Sequence, residues 1–350
     1  DEPDAEPILI GTTPLEKLAY PRGFTRVRLT LAGRPDFEDV IGNTGLFEST
    51  WSYRFHTPGE VPEGMARVPG GRFEMFLPGL NDIPPEPTAA FAMDRCEVTN
   101  SEYLRFVEAG GYADPRYWKQ PFIDGDRTLT FEEAMRRFTD RTGRPGPATW
   151  EIGAFPAGQD SFPVSGVSWY EAAAYAAWAG KDLPTIFHWN RVAFTAASLR
   201  IVPMSNLSGA GPVAVGGRRS MNRFGVYDLA GNVREWTWNA TGAGRERFIL
   251  GGGWSDPDYA FVDGYAQPPF DRSPTNGFRC VRYLEPESNR AALERDMETP
   301  HRDFLSEKPV PDDVFAQYLR QFAYDRTPLD AKIEEEKTVP SGLRQKITFT

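Results

Sequence analysis

The chain has 350 residues, enough for about two domains. Its 40% hydrophobic and 25% charged residues are typical of globular proteins and exclude a disordered or fibrous chain. The formal net charge of −10 offers no basic surface, so we expect no nucleic-acid partner. The sequence has no run of about 18 apolar residues, so we expect no membrane contact within it.

Residues 1–60 contain short alternating segments that are separated by glycine and proline turns. Apolar and polar side chains alternate over Phe24–Leu31 and again over Trp51–His56, which predicts two half-buried strands. The order of these strands and turns resembles the PEGA module, a small β-sandwich-like unit. That resemblance implies a spacer of the kind found in bacterial surface proteins, followed by a linker at residues 58–64.

Three capping boxes predict helices further along the chain. Thr99, Thr130 and Ser168 each stand three residues before a glutamate and open an apolar-periodic segment. Residues 181–284 have glycine, proline or asparagine every few positions, so we predict loops and short strands there. Residues 285–350 are predicted to be a helical segment (286–297 and 311–322) and a polar linker (325–345). A strand beginning at Lys346 would then lead into a further domain of a longer protein.

Four sequence blocks in order carry a family resemblance. They are "FAMDRCEVTNSEYLRFV" at 91–107, "FPVSGVSWYEAAAYAAWAGKDLPT" at 162–185, "NRFGVYDLAGNVREW" at 222–236, and "LGGGWSD" with "TNGFRCVR" between 250 and 282. Together they resemble the formylglycine-generating, or sulfatase-modifying factor, family over residues 65–284. The resemblance implies an α+β, variant C-type lectin-like fold that is rich in loops.

The catalytic cysteines of that family are missing from the matching segment. Family members that oxidise cysteine carry two cysteines after the Gly-Gly-x-Trp turn, and these bind Cu(I) as thiolates. Here the two positions fall on Asp256 and Phe261, so we expect no copper and no oxidase activity. The resemblance instead implies a binding face, with candidate ligand contacts at Trp254, Asp256, Asp258 and Tyr259.

The family's calcium loop is retained in this sequence. By resemblance, Asp228 and Glu235 would supply carboxylates to one Ca²⁺ ion, and Gly231 and Val233 their carbonyls. The alternative is that Asp228 caps a turn and that Glu235 pairs with Arg234 or another neighbour. A second calcium site at residues 206–207 is truncated, because glycine, alanine and proline follow where the family has acidic residues.

Two cysteines and three histidines offer little further chemistry. Cys96 and Cys280 would form a disulfide if they are neighbours, and would otherwise be two buried thiols; the sequence leaves both open. His188 replaces a family acid and is expected to pack or cap locally. His56 and His301 lie far from it in sequence, and the kinase-like His-Arg-Asp tripeptide that begins at His301 lacks a glycine-rich phosphate loop.

These observations favour a non-catalytic, calcium-stabilised binding or sensory module of a larger bacterial protein. Its partner would be a peptide, a glycan or another domain of the same chain, and we expect an extracytoplasmic location. One alternative is an enzyme that uses Asp256 and Asp258 as acid and base in the same cleft. Others are a regulatory part of a Ser/Thr kinase or α/β-hydrolase, and a purely structural spacer.

Overall fold

A computed structural model describes most of the chain. The described residues are 8–19, 23–34, 36–43, 53, 55, 57, 59–80, 83–195, 198–218, 220–242, 244–284, 290–297, 305–324, 328, 330–339 and 342–349. The predicted strand at Trp51–His56 and the tripeptide that begins at His301 lie largely or wholly outside them. The chain divides into two compact units, Asp1–Pro300 and His301–Thr350. The domain boundaries predicted at residues 60 and 284 stay predictions.

The first unit mixes short strands and helices, as expected for an α+β fold. Its strands are β1 Gly23–Leu29, β2 Phe37–Asn43, β3 Met65–Val68, β4 Gly71–Phe73, β5 Glu86–Thr88, β6 Phe91–Asp94, β7 Phe122–Asp124, β8 Arg127–Leu129, β9 Arg234–Thr241, β10 Glu246–Leu250, β11 Ala266–Gln267, β12 Asn276–Gly277 and β13 Val281–Tyr283. Its helices are α1 Asn100–Glu108, α2 Phe131–Met135, α3 Trp169–Trp178, α4 Ile186–Ala193, α5 Ser198–Ile201 and α6 Arg290–Leu293.

Two small sheets organise this unit. One has the strand order β11-β10-β9-β12, in which β9 and β12 run parallel, and the other has the order β13-β6-β3. β1 and β2 form a separate antiparallel pair. Since β9 and β12 are far apart in sequence, their pairing brings the segments around residues 234 and 276 together.

All three predicted capping boxes are present. The side chains of Thr99, Thr130 and Ser168 accept a hydrogen bond from the backbone three residues on, and the glutamate there accepts one from the cap in return. These reciprocal bonds satisfy donors that a helix N-terminus otherwise leaves open. The helices then bury aromatic faces in a cluster rich in tryptophan, tyrosine and phenylalanine, which includes Tyr103, Phe106, Trp169 and Tyr175.

The prediction of loops and strands alone over residues 181–284 was wrong at α4. Thr185 caps this helix by accepting a hydrogen bond from the His188 backbone N–H. The helix has only eight residues, and all but Arg191 are buried. Eight residues make only about two helical turns, too few for a helical periodicity to be recognised.

The second unit contains a helix and a strand pair. α7 spans Asp312–Gln321, within the predicted helix at 311–322, and β14 Lys332–Val339 pairs antiparallel with β15 Gly342–Thr348. The predicted linker at 325–345 was therefore wrong over most of its length. The described residues on both faces of this strand pair are exposed, so neither face needs apolar side chains. The charged run Glu334–Lys337 in β14 therefore lacks the alternating pattern that would predict a strand.

Candidate functional site: an ion pair and a cleft beside Trp254

A glycine turn at Gly251–Gly253 positions the segment 254–259, which contains the predicted ligand contacts. Gly251 has φ = +92°, and a Cβ there would lie 2.7 Å from the Leu229 carbonyl oxygen. A Cβ on Gly253 would lie 2.7 Å from the Thr275 Cβ. Only glycine fits such close approaches. The turn directs the next residues toward the loop at 206–209, where the Gly209 N–H donates to the Trp254 carbonyl at 2.6 Å.

Asp256 forms a bidentate ion pair with Arg234. The Arg234 Nε and Nη2 atoms donate to the two Asp256 carboxylate oxygens at 2.6 and 2.8 Å, and the Gly253 N–H donates to Oδ2 at 2.7 Å. Burial of Asp256 favours its neutral form, but the Arg234 and Gly253 hydrogen bonds outweigh burial and hold its pKa below the usual value. The carboxylate is therefore charged and fully engaged.

A cleft of about 190 Å³ is lined by Trp254, two residues before Asp256. We call it the Trp254 cleft, and its lining residues are Asn100, Arg141, Thr149, Trp150, Pro156, Gln159, Pro163, Ser165, Pro212, Trp254 and Pro274. The Trp150 indole N–H donates to the Asn100 side-chain oxygen at 3.0 Å, which fixes one wall. The cleft combines two tryptophans, four prolines and a single charged side chain.

The predicted ligand contacts separate into three environments. Trp254 lines the cleft, whereas Asp256 is paired with Arg234. Asp258 begins a 3₁₀-helix and is exposed, and Tyr259 beside it is 71% exposed; neither lines the cleft. Sequence reasoning missed Arg141, Trp150 and the pairing role of Arg234, since nothing local to these residues marks them as neighbours of Trp254.

The residues at the family's copper position do not fit copper. Asp256 is bound to Arg234, and Phe261 is fully buried with its ring 6.2 Å from the Trp189 ring. Cu(I) requires soft sulfur ligands, and neither side chain provides one.

Glu235, the predicted calcium ligand, is enclosed and paired with Arg279. Arg279 donates from Nη2 to Oε1 at 2.6 Å and from Nε to Oε2 at 2.8 Å, and the Trp189 indole N–H donates to Oε2 at 2.8 Å. Both side chains are fully buried. The alternative reading named Arg234 or another neighbour as the partner of Glu235. The partner is Arg279, whereas Arg234 binds Asp256.

The other proposed calcium carboxylate is also engaged. Asp228 accepts hydrogen bonds from the Gly216 N–H at 2.5 Å and the Ser220 hydroxyl at 2.9 Å. Among the described residues, no group of three or more His, Cys, Asp and Glu side chains could hold a metal ion. Both carboxylates are bonded to donors of the protein itself, and calcium binding by Asp228, Gly231, Val233 and Glu235 stays a prediction.

A third carboxyl group, Glu97, lies in the same buried region. Its Oε1 accepts from the Asn232 side-chain amide at 3.1 Å, while Oε2 has no donor among the described residues. Burial, reinforced by the charges of Asp228 and Glu235, raises the pKa of Glu97 well above its usual value. Burial therefore favours the protonated form of the Glu97 carboxyl group.

The cysteines and His188 play structural roles. Cys96 and Cys280 are both free thiols, which decides the question the sequence left open. Burial raises the pKa of Cys96 to about 12, so it is not a reactive thiolate. His188 is fully buried and packs between the rings of Phe91 and Tyr283, with Nδ1 2.6 Å from the hydroxyl of Thr185, the residue that caps α4.

Three curated relatives resemble this chain. It is 28% identical over 268 residues to the inactive C-alpha-formylglycine-generating enzyme 2 of Bos taurus, covering 62% of this chain and 87% of the relative. It is 28% identical over 232 residues to the formylglycine-generating enzyme of Thermomonospora curvata, covering 53% and 76%. It is 26% identical over 259 residues to the serine/threonine-protein kinase pkn1 of Chlamydia pneumoniae, covering 65% of this chain but only 39% of the kinase.

A family model also matches this chain, over most of its first unit. The sulfatase-modifying factor enzyme 1-like domain matches residues 54–284, which include all four sequence blocks, the glycine turn and the buried Glu235–Arg279 pair. On this evidence the chain belongs to the sulfatase-modifying factor family.

Proposed function

We propose that this domain is a non-catalytic binding module in which an ion pair fills the position of the family's catalytic cysteines. The bidentate Arg234–Asp256 pair carries the proposal. A carboxylate that is bound on both oxygens cannot act as a thiolate, and its guanidinium partner repels a copper cation. The similarity to a relative named inactive supports this reading.

The enzyme alternative receives less support from the same carboxylates. A general acid or base near neutral pH needs a pKa close to the working pH. The pKa of Asp256 is lowered, away from that range, and Arg234 occupies both of its oxygens. Asp258 is exposed on a 3₁₀-helix outside the cleft, so the two do not line one site.

The module would serve a larger protein. The similarity to a serine/threonine kinase, of which this chain spans 39%, supports a multidomain parent in which the domain binds or positions a partner. Among the described residues, no helix has the length and apolar character needed to cross a bilayer. Extracytoplasmic location and the PEGA-like module stay predictions.

An oxidation assay tests the proposal. The chain is incubated with Cu(I), oxygen and a cysteine-containing peptide, and aldehyde is trapped with a hydrazide and measured by mass spectrometry. We expect no aldehyde, whereas an active formylglycine-generating enzyme run in parallel produces it. Aldehyde formation by this chain would overturn the proposal, and a Cys96→Ser variant would then show whether the half-buried thiol is responsible.

A further inference from the structure

We propose that the Trp254 cleft binds a peptide segment in which an acidic residue is flanked by proline or other apolar residues. The acidic side chain would contact Arg141, and its apolar neighbours would contact the tryptophan and proline walls. This inference rests on the proposed function, because it assumes that the domain binds its partner without oxidising it.

Arg141 is the cation that favours an acidic ligand. Its guanidinium is exposed and bonds to no acceptor among the described residues, although its backbone N–H donates to the Trp150 carbonyl at 3.2 Å. The nearby Arg144 instead donates to the Ile152 carbonyl at 3.1 Å. Arg141 is thus held beside the cleft with its charge available.

The adjacent carboxylate of Asp140 does not bond to the Arg141 guanidinium. Asp140 Oδ1 accepts from the backbone N–H groups of Thr142 and Arg144 and from the Thr142 hydroxyl. Its Oδ2 accepts from the Gly153 N–H at 2.6 Å. These bonds fold the loop and use both oxygens on local donors, so a carboxylate from outside meets an unpaired guanidinium.

Internal hydrogen bonds hold the cleft walls in place. The Asn100 amide donates to the Gln159 carbonyl at 2.8 Å, and the Thr149 hydroxyl donates to the Ser165 carbonyl at 2.6 Å. Trp150 itself is 1% exposed and bonded to Asn100. A preformed site loses little conformational entropy when a ligand binds.

The size and lining of the cleft favour a peptide. Small-molecule sites have volumes of roughly 300–1,000 Å³, so a cleft of about 190 Å³ accommodates one or two side chains of a longer ligand. A glycan would need several free polar partners, but six of the eleven lining residues are proline or tryptophan. The polar side chains of Asn100 and Thr149 already bond within the protein. Proline rings and indoles pack well against the apolar side chains of a peptide.

The net negative charge of the chain allows the local effect of Arg141 on binding to be distinguished from long-range electrostatic attraction. The whole chain has a formal net charge of −10, so an acidic peptide gains nothing from the overall field. A preference for acidic peptides must therefore arise locally. Replacing Arg141 should remove that preference, while replacing Arg144 should leave it intact.

A peptide array tests the inference. It presents proline-flanked pentapeptides that vary the outer apolar residues and have Glu, Gln or Lys at the centre, and dissociation constants are then measured in solution. For the wild-type chain we expect Glu peptides to bind about three- to fivefold more tightly than matched Gln peptides. Arg141→Gln should abolish this ratio and Arg144→Gln should preserve it, with thermal melts confirming that both variants fold.

The outcomes separate this inference from the proposed function. Equal binding of Glu and Gln peptides, or a Glu preference that survives Arg141→Gln, overturns the acidic-peptide inference but leaves a non-catalytic binding module. Absence of binding by every peptide also overturns it. The proposed function itself falls only if aldehyde forms in the oxidation assay.

Discussion

Individual carboxylates in this protein differ in what holds them, and that difference sets their chemistry. Asp256 bonds through both oxygens to Arg234, and these side chains are 13% and 18% exposed. Glu235 bonds in the same way to Arg279, and both of these side chains are fully buried. Among the described residues no arginine bonds to Glu97, and burial raises its pKa well above the usual value. Removing one partner of a buried ion pair lowers the free energy of unfolding far more than removing one partner of an exposed pair, because water cannot solvate the charge that remains.

Substitution of Glu235 tests whether an arginine or a calcium ion is its partner. Glu235→Ala leaves the buried Arg279 guanidinium without a counter-charge, and we expect the free energy of unfolding to fall by about 3–5 kcal/mol. Denaturant unfolding measures this in calcium and again in chelator. Equal losses are expected, and a loss that disappears in chelator would instead support the calcium site.

A matched control for that substitution is Glu294→Ala. Glu294 pairs at 2.6 Å with Arg290, but the two side chains are 24% and 37% exposed. Water screens such a pair, so we expect a loss below about 1 kcal/mol. Similar losses for Glu235→Ala and Glu294→Ala would contradict the importance of burial.

Glu97 should make stability depend on pH. Its folded-state pKa is raised above the ordinary 4.5, so the folded chain keeps a proton that the unfolded chain releases. The free energy of unfolding therefore falls as pH rises from 4.5 toward the folded-state pKa, by at most about 1.4 kcal/mol per pH unit from this group.

The Glu97→Gln variant isolates that contribution. Glutamine keeps an acceptor for the Asn232 amide and cannot titrate, so we expect a flatter stability profile above pH 4.5 than that of the wild type. Urea unfolding at a series of pH values provides the comparison. Identical profiles for the two proteins would show that Glu97 does not carry the proton.

At the scale of the elements, the type of N-terminal cap determined which helices could be predicted from the sequence. The capping boxes of α1, α2 and α3 are encoded by residues three apart, and all three were predicted. The α4 helix relies on a different cap, in which Thr185 accepts from the His188 N–H and also contacts the His188 ring. It was missed because its third residue is His188, where a capping box has Glu or Gln.

The two kinds of cap should differ in strength. Thr185 is fully buried, so Thr185→Ala removes a cap and leaves the His188 Nδ1 contact unmade; we expect a loss of about 2 kcal/mol. Thr130→Ala, at an exposed capping box, should cost about 0.5–1 kcal/mol. Equilibrium unfolding measures both, and an equal or larger loss at Thr130 would contradict this ranking.

On the scale of the whole molecule, the two units differ in how much they bury. The first contains two large apolar clusters, and the described part of the second contributes no residue to the buried core. An isolated two-stranded pair is marginal in water. We expect backbone amides of β14 and β15 to exchange with deuterium much faster than those of β9 and β10, as mass spectrometry of peptic fragments would measure. Comparable protection would show that the strand pair is stabilised elsewhere.

The sequence alone indicated the family, three helix starts and the missing copper ligands, because each depends on motifs whose own residues are close together in the chain. Capping boxes use groups three positions apart, and the catalytic positions follow a contiguous glycine turn. Only the tertiary structure showed which contacts the residues at the family's catalytic and calcium positions make instead. The Arg234–Asp256 pair, the Glu235–Arg279 pair and the wall around Trp150 join residues 22, 44 and 50 positions apart. Such contacts depend on how strands and loops approach in space, and no local pattern specifies that approach.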